Sequence, residues 1–332
     1  MKITVLGDGG WGTALALLLH GYGHATTLWG AFPAYLEEIR RAGENVKFLP
    51  GVPIPGTLRL EGDPAAAVRG AELVVVAAPS KFYRSVCERF AGALPSGVPL
   101  ASVTKGLCEG PRHRMSEIAR EVLGPRRVAV LSGPSHAEEV ARRIPTAVVC
   151  ASDDEGTAAL VQEVFNGPRF RVYASDDPVG VELGGAVKNV VAVAVGASDG
   201  LGFGDNTRAA LVTRGVAEMA RLGVAMGARP ETFAGLSGLG DLVVTCTSRH
   251  SRNRSVGERL ARGERLPDIL SGMAMVAEGV DNCRVVCGLA ARFGVEMPIS
   301  EAVRGVCFDG LPAQDAVETL MGRSLKPETW GA

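Results

Sequence analysis

The chain opens "MKITVLGDGGWGTALALLL", where a short β-branched segment runs into Gly7, Gly9 and Gly12 and then into an apolar helical pattern. No other feature constrains the fold as tightly. Spaced as G-x-G-x-x-G between a strand and a helix, the glycines allow a tight turn and close backbone approach. The helix start offers unpaired N–H groups and the positive end of its dipole. The pattern therefore implies a βαβ unit that holds a pyrophosphate; a plain structural turn is the competing reading.

Further strand-like blocks follow: "ATTLWG", "ELVVVAAPS" (72–80), "PLASVTKG" (99–106), "RVAVLSGPS" (127–135) and "TAVVCAS" (146–152). They are continuous apolar runs of strand length, as parallel strands covered on both faces require. Helical segments such as "RHRMSEIAREVL" (112–123) lie between them, and the alternation predicts a doubly wound α/β sheet. From "ASDDPVG" (174–180) onward the texture becomes helical, with Ala209, Val212, Val216, Met219 and Gly223 on one face of a single period. Residues 184–197 carry β-branched side chains, yet their length and small residues favour a helix buried on all sides. The 332 residues suffice for two cores. The division is an N-terminal Rossmann-type dinucleotide-binding domain, 1–177, and a C-terminal all-helical substrate and catalytic domain, 178–332.

Composition narrows the function. A formal net charge of −1 offers no field for nucleic acid. The glycine-broken N-terminus fits neither a signal peptide nor a spanning helix, which points to a cytoplasmic chain without stable membrane insertion. Cysteines at 87, 108, 150, 246, 283, 287 and 307 show no paired ligand spacing and are read as reduced core thiols. His136 has no second ligand nearby, so no metal is expected and the residue is read as a helix start.

Four further motifs carry polar chemistry. Lys105 in "SVTKG" sits at the carboxyl edge of the sheet, where open α/β folds bind ligands; a solvated lysine is the alternative. Gly133 and Ser135 form a turn suited to an anion, or Ser135 is a helix cap. Asp241 follows a glycine-rich turn and could likewise be a cap. Arg249, Arg252 and Arg254, with Ser251 and Asn253, crowd a helix start in the manner of a phosphate pocket, or of a solvated basic turn.

Lys188 lies inside the apolar run 184–197. A lysine there must be paired, neutral or facing a cavity, because burying an unpaired ammonium is costly. A lowered pKa would make it a proton acceptor; a structural ion pair is the alternative. The stretch after the second strand, "LWGAFPAYL", has neither the acid that holds ribose hydroxyls nor the arginine that holds a 2′-phosphate. The choice between NADH and NADPH is unreadable from it.

Taken in order, "GDGGWGTALA", "FLPGVPIP", "SVTKGL", "SGPSHAEEV", "GVELGGAVKNVVAVAVGASDGLGFGDNTRAALVTRG", "GLGDLVVTCTSRHSRNR" and "VAEG" resemble the NAD(P)-dependent glycerol-3-phosphate dehydrogenases of the bacterial type over nearly the whole chain. The resemblance implies reversible reduction of dihydroxyacetone phosphate to sn-glycerol 3-phosphate for phospholipid synthesis, with NAD(P)H as cofactor and a homodimer as the assembly. It implies Lys188 as the proton acceptor, oriented by Asp241 and Asn189. Lys105, Gly133, Ser135, Asp241, Thr245, Ser251, Arg252 and Asn253 become substrate contacts. Gly7, Gly9, Gly10, Trp11, Gly12, Ala31, Phe32, Lys105, Ala137, Arg252, Val276 and Glu278 become cofactor contacts. Many relatives carry a basic residue after the second strand where Ala31 and Phe32 stand. The rival readings are another two-domain, lysine-dependent hydroxyacid dehydrogenase and a noncatalytic dinucleotide sensor.

Overall fold

The computed structural model describes residues 1–110, 114–273, 275–325 and 327–328. Eight strands form one sheet: β1 (Lys2–Leu6), β2 (Ala25–Trp29), β3 (Arg59–Glu61), β4 (Leu73–Val76), β5 (Leu100–Ser102), β6 (Val128–Ser132), β7 (Thr146–Ser152) and β8 (Phe170–Ser175). Their spatial order is β8-β7-β6-β5-β4-β1-β2-β3. The order reverses between β1 and β4, which is the switch point where open α/β sheets bind ligands beyond the carboxyl ends of their strands.

The apolar runs are continuous because both faces are covered. Leu73 and Val75 enter one core with Leu15, Leu19 and Phe165, while Val74 and Val76 enter the opposite core with Tyr83, Phe90 and Ile118. Alternate residues of a strand point to opposite faces, so polar residues have no place in this strand. Helix α1 (Gly10–Gly21) follows β1 directly, and α2 (Pro33–Ala42), α3 (Ser80–Phe90), α4 (Met115–Leu123), α5 (Ala137–Ala141) and α6 (Glu155–Phe165) complete the layers. The start of the helical segment expected at 112–123 lies partly outside the described residues; α4 supplies the remainder.

One expectation needs correction. The strand 146–152 is not parallel to its neighbour: Ala129 faces Ser152 and Ser132 faces Val149, an antiparallel register. The connection from β6 to β7 contains only the five-residue helix α5, which is too short to carry the chain back to the opposite edge. The short edge strand β3, the strand β8 and a two-stranded hairpin of Glu44–Asn45 with Leu49–Pro53 have weak sequence signals and were not anticipated.

After Ser175 the described chain contains helices and no strand. Helix α7 (Pro178–Gly200) begins where Asp177 caps it, its carboxylate accepting from Gly180 N at 2.9 Å, with proline at the first turn. Residues 180–193 of α7 are buried all round, because α8 (Asp205–Ala225), α9 (Asp241–Thr247), α10 (Arg252–Ala261), α11 (Glu278–Phe293) and α12 (Pro298–Phe308) surround it. Helix α13 (Ala313–Met321) closes the described fold. Length and composition would let α7 cross a membrane, but 89% of its most apolar stretch is buried inside this bundle.

Two glycines set the α7–α10 crossing. A Cβ on Gly196 would lie 1.9 Å from the Arg254 carbonyl oxygen, and one on Gly257 would lie 1.9 Å from that of Val193. No side chain fits at either position.

Candidate active site

The fingerprint loop is shaped for a dinucleotide. Gly7 holds φ at 121° and donates to the Trp29 carbonyl at 2.9 Å. A Cβ on Gly12 would lie 1.9 Å from Gly7 O, and one on Gly10 would lie 2.5 Å from Phe48 O. Gly9, by contrast, would meet nothing within 4 Å. Two sides of the turn are therefore filled by protein and the third is open, facing the free N–H groups of the first turn of α1. These residues fit a pyrophosphate. Trp11 ties the helix to the sheet edge through Nε1 to Val103 O at 3.2 Å. Ala137, the first residue of α5, lies against Gly10. Ala31 is half-buried and Phe32 is 69% exposed beside the end of β2.

Lys188 projects from the middle of α7 and is buried. Its Nζ donates to Asp241 Oδ1 at 2.8 Å and to Thr245 Oγ1 at 2.6 Å. Thr245 in turn donates to the Asp241 carbonyl at 2.6 Å, so its lone pair faces the lysine. Asp241 is not a helix cap. A wide π-helical turn, Leu236–Gly240, precedes α9 and aims the carboxylate inward. Lys105 reaches the other oxygen of the same carboxylate, Nζ to Oδ2 at 2.9 Å.

The electrostatics follow from burial. Desolvation pulls the Lys188 pKa from 10.5 down to about 8; Asp241 pushes it back up in part, and the Lys105 ammonium lowers it further. Burial alone would raise Asp241, but the two ammonium groups outweigh it and hold the carboxyl below its usual range. His136 caps α5 as a helix-start residue, and burial followed by the two lysines pushes its pKa down.

An ammonium has three hydrogens to donate. Lys188 spends two. Lys105 donates two, to Gly133 O at 2.7 Å and to Ser135 Oγ at 3.0 Å, while its Nζ forms an ion pair with Asp241 Oδ2 at 2.9 Å. In this arrangement Lys105 braces the Asp241 carboxylate and the Gly133 turn. Gly133 itself needs its φ of 130°.

Asn189 differs from its expected place as an orienter of Lys188. Its Nδ2 donates to Lys105 O at 3.2 Å and to Gly185 O at 3.3 Å, and its Oδ1 accepts from Asn253 at 2.9 Å. Asn253 passes the connection on by accepting from Gly279 N at 2.9 Å. The two amides thus join α7, α10 and α11 around the lysine without touching its Nζ.

The basic cluster separates in three dimensions. Ser251 caps α10, accepting from Arg254 N at 3.2 Å. Arg254 is committed to Asp199 at 2.6 Å. Arg249 is exposed. Arg252, exposed on the first turn, donates to Val276 O at 2.8 Å. Glu278, the first residue of α11, accepts from Ser80 N at 3.0 Å and from the Ser80 hydroxyl. Reading the sequence missed Ser80 and also Asn282, which accepts from Leu107 N at 3.0 Å and donates to Ala186 O at 3.3 Å. Both contacts link distant segments, and neither residue stands in a pattern that would single it out. A largely apolar cavity of about 490 Å³ lies elsewhere, among α7, α8, α12 and α13, and includes none of the residues named above in this subsection.

Comparison with known proteins agrees with this geometry. Residues 2–158 match the model of the NAD-dependent glycerol-3-phosphate dehydrogenase N-terminus, and residues 177–318 match that of its C-terminus. The chain is 49% identical over 331 residues to the glycerol-3-phosphate dehydrogenase [NAD(P)+] of Chlorobium phaeobacteroides (strain BS1), covering 99% of both chains. It is 51% identical over 330 residues to that of Geobacter sp. (strain M21), covering 98% of each. The crystal structure of glycerol-3-phosphate dehydrogenase from Coxiella burnetii superimposes with a TM-score of 0.93 at 41% identity, over 97% of this chain and 99% of that one. With both of its halves matched and its whole length shared with such relatives, the chain belongs to the NAD-dependent glycerol-3-phosphate dehydrogenase family.

Proposed function

We propose that this oxidoreductase reversibly reduces dihydroxyacetone phosphate to sn-glycerol 3-phosphate with NAD(P)H, and that Lys188 exchanges the proton on the C2 oxygen. The observation that carries the reading is the carboxylate of Asp241 clamped between Lys188 and Lys105. It supports a buried amine that titrates near neutral pH and has one N–H uncommitted.

A bound nicotinamide supplies or accepts the hydride at C2. In reduction the Lys188 ammonium points its free N–H at the ketone, polarises it and gives up the proton; in oxidation the neutral amine takes the hydroxyl proton. Asp241 and Thr245 fix the direction of Nζ. Lys105 holds Asp241 and the Gly133 turn in place. Arg252 and the start of α10, near Asn253, bind the substrate phosphate, so that remote binding energy positions C2. Arg252, Val276 and Glu278 close over the nucleotide from the helical half, opposite Gly9, Gly10 and Ala137.

Residues 1–177 serve as the nucleotide-binding domain and 178–332 as the substrate domain, in a cytoplasmic homodimer without membrane insertion that supplies phospholipid synthesis. A noncatalytic sensor has no use for a buried lysine held by carboxylate and hydroxyl. Turnover of dihydroxyacetone phosphate by wild type and by Lys188→Met is the test. We expect a fall of roughly a hundredfold or more with NADH binding retained. Full turnover in the variant, or turnover only of carboxylate substrates by wild type, would overturn the assignment.

A further inference from the structure

The position after β2 carries neither the acid nor the arginine that usually reads the adenosine ribose; Gly30, Ala31 and Phe32 follow Trp29. The fold brings a carboxylate there from the loop after β1. Asp8, between the first two fingerprint glycines, turns its side chain onto Gly30. A Cβ at residue 30 would lie 2.8 Å from Asp8 Cγ and would collide with its Oδ2. An acid placed at residue 30 and the carboxylate of Asp8 are thus alternative fillings of the same space.

Asp8 Oδ2 is buried and accepts no hydrogen bond among the described residues. The surrounding loop is nevertheless firmly built. Asp8 O accepts from Asn45 Nδ2 at 2.8 Å, Asn45 also donates to Thr13 Oγ1 at 2.8 Å, and Tyr35 donates to Asn45 Oδ1 at 2.5 Å. A buried carboxylate oxygen without a donor costs stability, and no packing role on this loop explains its retention. A ribose hydroxyl supplies the missing donor.

We propose that Asp8 is the nucleotide selector of this chain. From the β1–α1 loop it accepts a ribose hydroxyl of NADH and repels the 2′-phosphate of NADPH, the two tasks of the acid usually found after β2. The proposal rests on the dehydrogenase reading above. Burial raises the Asp8 carboxyl, and a backbone hydrogen bond and the Lys47 ammonium draw it partly back down. Were Lys47 to dominate, NADPH would be preferred.

The experiment is fluorescence titration of NADH and NADPH, without substrate, into wild type, Asp8→Asn and Asp8→Ala, with thermal unfolding to verify the fold. Wild type should bind NADH about tenfold or more tightly than NADPH, the size expected of a hydrogen bond to a charged group. In Asp8→Asn the ratio should fall towards one, chiefly through a gain in NADPH affinity. Asp8→Ala removes the side chain outright and should do the same if the asparagine variant does not fold. A ratio unchanged in the folded variants, or a wild-type preference for NADPH, would overturn the proposal alone. Failure of wild type to bind either nucleotide would overturn the dehydrogenase reading with it.

Discussion

Ser80 and Glu278 stand 198 residues apart in the chain, yet the serine gives both its backbone N–H and its hydroxyl to one buried carboxylate. One residue starts a helix on the sheet, the other a helix of the bundle. Burial raises the Glu278 pKa, and the two donors are what hold it back. Ser80→Ala removes one donor from a buried anion, and such bonds are worth about 1.5–3 kcal/mol. Denaturant unfolding should register a loss of that order; no loss would mean that the hydroxyl contributes nothing to holding the two helix starts together.

The lowered pKa of Lys188 sets a pH dependence with opposite signs in the two directions. Oxidation of glycerol 3-phosphate needs the neutral amine, so its rate should rise with pH through about 8. Reduction needs the ammonium and should fall through the same value. Asp241 is the group that raises the lysine, so Asp241→Asn should move both limbs to lower pH and cut turnover by roughly a hundredfold. Profiles that keep their midpoint in the variant would detach Asp241 from the proton step.

Among the described residues Arg252 forms no salt bridge, and it donates to the Val276 carbonyl at 2.8 Å at the start of α10. Arg252→Ala should raise the KM for dihydroxyacetone phosphate and lower kcat as well, because a loosely held phosphate no longer positions C2. Steady-state kinetics decide: an unchanged KM alongside a lower melting temperature would make it a structural turn residue.

Glu218, buried in α8, accepts from Ile299 N at 2.6 Å and from Ser300 at the start of α12, and burial lifts its pKa from 4.5 to about 7. The folded state therefore binds a proton that the unfolded state releases, and stability contributed by this group falls as pH rises from about 4.5 to 7. Thermal unfolding of Glu218→Gln should lack that slope, amounting to about 1–3 kcal/mol, relative to wild type. Parallel curves for the two proteins would refute the titration.

The sequence announces whatever depends on neighbours in the chain. The fingerprint turn, the apolar strands β4 and β5 and the change of texture before Asp177 all follow from local pattern. The antiparallel β7 does not, because direction is set by the length of a connection and not by the composition of the strand. Among the site residues, Lys188 stands out because its surroundings in sequence are also its surroundings in space. Asp241 and Ser251 offer identical local cues, a polar residue at a helix start, yet one binds two lysines and the other caps its helix. Only the π-helical turn before Asp241 separates them. Asp8 lay in view within the fingerprint, but its approach to Gly30 depends on two adjacent strands.

Asp241 is fastened to Lys105, which hangs from the sheet, and to Lys188, which hangs from the long helix. The two ion pairs that fix the Lys188 amine therefore span the joint between sheet and bundle. A chain divided near Asp177 should yield two fragments with no turnover apiece. Mixed, they should regain activity only as fast as they dock, so that the enzyme serves as a reporter of its own complementation.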